Sequence, residues 1–110
     1  MTIRCWYAGR DFFGEYFHDL EAAADFSTVA EGVKLVDKCI KSCGQAGPGA
    51  VNAFRIERPD GSLLVINPEG IGAFRMIRAK NGDADRGTVY GVRELKKALR
   101  GAMVDDLQEV

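Results

Sequence analysis

Histidine is almost missing from this chain: His18 is the only one in 110 residues. Sites that need two or more imidazoles are excluded, and a zinc centre would have to combine His18 with Cys5, Cys39 and Cys43. Long apolar runs are also lacking, since nowhere do 18 apolar residues follow one another. The opening "MTIRCWYAGR" has no basic start leading into an apolar core and a small-residue cleavage site. A protein that is neither secreted nor membrane-spanning is therefore expected. Three cysteines cannot all pair with one another, and Cys39 and Cys43 stand at an i, i+4 spacing where disulfide geometry is poor. They read as reduced core thiols in a cytoplasmic protein, not as metal ligands or activated nucleophiles.

Basic residues are absent between Arg10 and Lys34, and this gap matters more than the overall net charge of −1. Residues 1–31 hold two arginines against six acids, whereas residues 71–100 hold eight bases against three acids. The tail "DDLQEV" is acidic again. A chain with such a gradient can present patches of opposite sign to different partners.

The length fits one domain with a single modest core, spanning residues 1–110. "TIRCWYA" (2–8) is rich in β-branched and aromatic residues and predicts a strand. Residues 12–18 read either as its hairpin partner or as the start of a helix, with 19–25 a short helical turn capped by Asp19. Thr28 to Glu31 match a capping box, and Val29, Val33, Val36, Ile40 and Cys43 follow as an apolar stripe at helical period, which predicts a helix over 28–43 ending at Gly44. "RPDG" (58–61) and "NPEG" (67–70) both read as type I turns. They divide 51–79 into a three-stranded meander with "SLLVI" at its centre, because "LLVI" is apolar on both faces. Residues 80–87, "KNGDADRG", read as a polar loop, to which "TVYG" adds at most a short strand. A last helix carries Val92, Leu95, Leu99, Met103 and Leu107 on one stripe. The expected fold is α+β: an antiparallel sheet, made of an N-terminal β-hairpin and a three-stranded meander, with two amphipathic helices on one face, in the order β-β-α-β-β-β-α.

Motifs that would carry chemistry are incomplete. "GQAGPG" follows a helix and precedes a strand, the reverse of a phosphate-cradling loop, and no Lys-Ser/Thr comes after it. Asn81, Asp83 and Asp85 have the alternation of a calcium loop, but Arg86 stands where that loop needs Gly and Val92 where it needs Glu. No pair of titratable groups is brought together by the sequence, so no catalytic residue, metal or cofactor is expected and the chain does not read as an enzyme.

What is abundant is aromatic and acidic character at the N-terminal end. "DFFGEYFHDLEAAADF" (11–26) holds five of the chain's aromatics, and all its charged residues are acids. As a strand it would place Phe12, Tyr16 and His18 on one face and Phe13, Glu15 and Phe17 on the other. Asp11, Phe12, Glu15, Tyr16 and Asp19, with Trp6 nearby, are the expected partner-binding residues: aromatic anchors inside an acidic rim. Such carboxylates attract the Arg and Lys side chains that otherwise hold nucleic-acid phosphates, so a larger, basic and nucleic-acid-binding protein is the expected partner. In general type, a small acidic domain without a catalytic constellation resembles the accessory proteins of phages and mobile elements, anti-CRISPR inhibitors among them. The alternative is a nucleic-acid-binding or regulatory module using a basic face of Arg75, Arg78, Arg93, Lys96, Lys97 and Arg100. A homodimer is also expected, through a sheet face showing Val51, Leu63, Val65, Ala73 and Ile77 or through pairing of an edge strand.

Overall fold

The computed structural model describes residues 1–8, 19–43, 50–70 and 72–107. Within them, six strands and two helices follow one another as β1 (Thr2–Ala8), β2 (Asp19–Asp25), α1 (Val29–Ser42), β3 (Val51–Glu57), β4 (Leu63–Gly70), β5 (Ala73–Lys80), β6 (Asp83–Tyr90) and α2 (Val92–Val104). The strands make one antiparallel sheet in the order β2-β1-β3-β4-β5-β6. The expected α+β fold is the observed one, with a fourth meander strand added at its end.

Both helices lie on one face of the sheet. Ile3, Phe54, Ile56, Leu64, Ile66, Phe74 and Met76 point towards them and are buried, at 5 % exposure or less. From α1 come Val29, Val36, Cys39 and Ile40, and from α2 come Leu95, Leu99 and Met103. The buried positions 29, 32, 36 and 39/40 of α1 follow the helical period through Gly32, not Val33, which is 36 % exposed. Gly32 is where α1 approaches Met103 of α2 and the ring of Phe26, so the sequence's apolar stripe is displaced by one residue at that point. The Thr28 hydroxyl accepts from the Glu31 backbone N–H at 3.2 Å, as a capping residue should. Asp37 pairs with Lys96, tying the middle of α1 to the first half of α2.

Four expectations are corrected. Residues 19–25 are not a helical turn but strand β2, paired with β1 along its whole length from Asp19↔Ala8 to Asp25↔Thr2. Helix propensity of Leu20 and Ala22–Ala24 is a local term of a few tenths of a kcal/mol per residue, and a complete ladder outweighs it. The 12–18 strand lies outside the described residues. "NPEG" is not a turn, because β4 runs through it to Gly70 with a register shift between Pro68 and Gly70. Pro68 is tolerated there because β3 pairs with β4 only as far as Ile66, so beyond that point β4 has a single neighbour and no donor is missed.

Residues 80–87 are not a loop but the tip of a hairpin and the first part of its second strand, β6. Lys80 pairs with Asp83, and the two residues between them, Asn81 and Gly82, have φ of 52° and 87°. That is the left-handed pair of a type I′ turn, which Asn-Gly strongly favours. Val51, finally, is buried on the helix face, not exposed on the other. Trp6 pairs with Ala53 but Tyr7 with Val51, so a bulge at Asn52 reverses the facing of the residue before it.

The turn at "RPDG" is as expected: the Gly61 N–H donates to the Arg58 carbonyl at 3.0 Å. Asp60 accepts from the Ser62 N–H at 2.9 Å, the Ser62 hydroxyl at 2.6 Å and Lys80 Nζ at 3.1 Å. These donors hold its carboxyl well below the usual carboxylate range.

Candidate functional site

Because side chains alternate along a strand, the residues that do not face the helices share the opposite face of the sheet. The cross-strand pairs Trp6↔Glu21, Arg4↔Arg55, Thr2↔Glu57, Arg55↔Val65 and Val65↔Ile77 belong to it. Among the described residues no element covers this face. It has two halves of different chemistry.

On β2, β1 and β3 the face is ionic and aromatic. Arg4 donates from Nε to Glu57 Oε1 at 2.8 Å and also pairs with Glu21, while Arg55 reaches the same Glu57 oxygen at 2.9 Å. The Arg55 guanidinium carbon lies 5.2 Å from the centroid of the Trp6 ring, within cation–π range. Two guanidinium groups hold the Glu57 carboxyl below its usual value, and two carboxylates raise Arg4. β2 is the outer strand, so Glu21 and Asp25 stand at the rim of the sheet; the Asp25 carboxylate accepts from the Thr2 hydroxyl. On β4 and β5 the same face is mostly apolar, with Leu63, Val65, Ala73, Ile77 and Ala79 half-buried around the exposed Arg75, and on β6 it carries Arg86, Thr88 and Tyr90, the last 74 % exposed.

Of the residues expected to bind a partner, Trp6 is half-buried on this open face and Asp19 begins β2. Asp11, Phe12, Glu15 and Tyr16 lie outside the described residues. Arg4, Arg55, Glu57, Glu21 and Asp25 were not singled out as site residues from the sequence; the alternation of "TIRCWYA" and "VNAFRIE" contains the first three and "DLEAAAD" the last two, but only the pairing of β1 with both β2 and β3 brings them together.

The expected basic residues are dispersed. Arg75 and Arg78 leave β5 on opposite sides, Arg75 towards the open face and Arg78 towards the helix side, where it stands across from Leu64 and Asp85. Arg75 is paired with Glu69 and Lys96 with Asp37. Arg93, Lys97 and Arg100 are exposed on α2.

The three cysteines converge behind the sheet. Burial pushes the Cys39 thiol up to about 12 and the Cys43 thiol up to about 11, and the neighbouring Cys5 raises both. Thiols so protonated are poor nucleophiles at neutral pH. Among the described residues no group of three or more His, Cys, Asp or Glu side chains is arranged to hold a metal ion, and no helix is long and apolar enough to cross a membrane. No family model, curated protein or solved structure matches the chain.

Proposed function

We propose that the chain is a non-enzymatic protein-binding module that blocks or modulates a larger, basic partner, in the manner of a phage or mobile-element accessory inhibitor. One observation carries this reading. The acidic strand β2 is an outer strand whose Glu21 lies on the uncovered face beside Trp6, and the acid-aromatic segment 11–18 leads directly into it. An outer strand offers unpaired backbone groups, its carboxylates attract Arg and Lys, and an aromatic residue supplies an anchor. The apolar half of the same face enlarges the area a partner can bury.

The test is to reverse Asp11, Glu15 and Asp19 to Lys together. The melting temperature should move by no more than about 2 °C, as this reading requires of carboxylates that a docking surface keeps in solvent. Capture of the partner from cell lysate should be abolished, since like charge across an interface costs several kcal/mol. Retention on a nucleic-acid column that falls with salt, and is lost when Arg93, Lys96 and Lys97 are changed to Glu, would move the function to the basic end instead.

A further inference from the structure

Between the sheet and α1, at the β2 edge, lies a cavity of about 430 Å³ that the protein-binding reading does not use. Its walls come from Ile3 and Cys5 of β1, Ala22 and Ala24 of β2, and Leu35 and Cys39 of α1. The two alanines leave the space: β2 pairs fully with β1, yet has no large side chain at the positions opposite Ile3 and Cys5. Lys38 and Ser42 stand at the mouth. The volume falls in the range of small-molecule sites, which are mostly apolar with a few placed polar groups.

The charge at the mouth gives the ligand's chemistry. Lys34, Lys38 and Lys41 recur at i, i+4 and i+7, so they lie along one side of α1, next to the wall residues Leu35 and Cys39. None of the three forms an ion pair among the described residues, whereas Lys80 and Lys96 both do. The Cys39 thiol in the wall is pushed up to about 12 by its burial, so it stays protonated at neutral pH and adds no charge to the cavity. An apolar chamber lined by one exposed lysine, Lys38, with Lys34 and Lys41 along the same side of α1, suits a molecule with a hydrocarbon tail and an anionic head.

We propose that this cavity binds a single-chain amphiphile with an acid head group, a free medium-chain fatty acid being its simplest form, with the tail between β1–β2 and α1 and the carboxylate at Lys38. The site is on the helix side of the sheet and is independent of the open face.

The probes are straight-chain fatty acids from hexanoic to hexadecanoic acid, each kept below its micelle concentration, titrated into the full chain by calorimetry. Affinity should rise about three- to fourfold per added methylene and level off once the cavity is filled. Lys38→Glu, an exposed change that leaves the fold intact, should weaken the acids at least tenfold while leaving alcohols of equal length unchanged. Ala24→Leu should fill the chamber and abolish binding, with circular dichroism confirming that the fold is kept. No binding by any acid, affinity independent of chain length, or equal loss of acid and alcohol on Lys38→Glu would each overturn the proposal. So would retention on vesicles of acidic phospholipid without binding of the free acids, which would make the lysine row a surface patch and not the mouth of a site.

Discussion

Gly32 shows how one missing side chain can determine a helix crossing. A Cβ placed there would lie 2.6 Å from Met103 Sδ and 2.6 Å from Cε2 of Phe26, both of which are buried. Ala has the better helix propensity by about 1 kcal/mol, but overpacking a filled core costs about 1–3 kcal/mol. Gly32→Ala should therefore destabilise, whereas Gly101→Ala, with nothing within 4 Å of the new methyl, should stabilise by roughly 0.5–1 kcal/mol. Urea denaturation of the two variants measures both signs. The thiols make a pH-dependent prediction. Cys39 and Cys43 titrate at about 12 and about 11 in the folded protein against an ordinary 9.0, so the folded state holds their protons more tightly. Their contribution to stability is complete below pH 9 and is lost as pH rises towards 11 and 12. Thermal melts between pH 8 and 11 should show a decline that is reduced in Cys39→Ala measured against its own value at pH 8.

At the scale of elements, the β5–β6 hairpin depends on its two-residue turn. Gly82 has φ of 87°, a left-handed conformation that costs an ordinary residue about 1–2 kcal/mol. Gly82→Ala should lower stability by about that amount, and hydrogen exchange should quicken first in the amides of β6, which is paired on one side only. Exchange that quickens equally in β3 would mean that the hairpin opens only with the whole domain. The Asn81-Gly82 pair is a hairpin signal in itself; the polar residues around it, Lys80 before and Asp83 and Asp85 after, pull the expectation towards a loop. β2 is the opposite case, a helix-favouring sequence held as a strand because β1 offers it a ladder.

For the whole molecule, the decisive feature is a sheet that, among the described residues, is covered by helices on one side and by no element on the other. The half-buried row Leu63, Val65, Ala73 and Ile77 is more apolar than a solvated face usually is, and it should bury itself against a second copy at high concentration. Light scattering should report a dimer, and Val65→Lys, at the centre of the row, should return a monomer without lowering the melting temperature. A wild-type monomer at the highest soluble concentration would assign this face to the partner instead.

The sequence by itself determined the class of the fold, because its signals are local. The capping residue Thr28, the helical period of α1 and α2, the Pro-Gly turn at 58–61 and the doubly apolar "LLVI" each act within a few residues and mark the elements where they form, although within the expected stripes Val33 and Val92 are exposed and Leu107 lies past the end of α2. What depends on contacts between distant segments was decided only by the tertiary structure. Register is one example: the bulge at Asn52 turns Val51 inward, and nothing near Val51 announces it. The meeting of Arg4, Glu21, Arg55 and Glu57 is another, and so is the cavity that Ala22 and Ala24 leave beneath α1. Alternation along a strand says which residues share a face; only strand pairing says which of them touch.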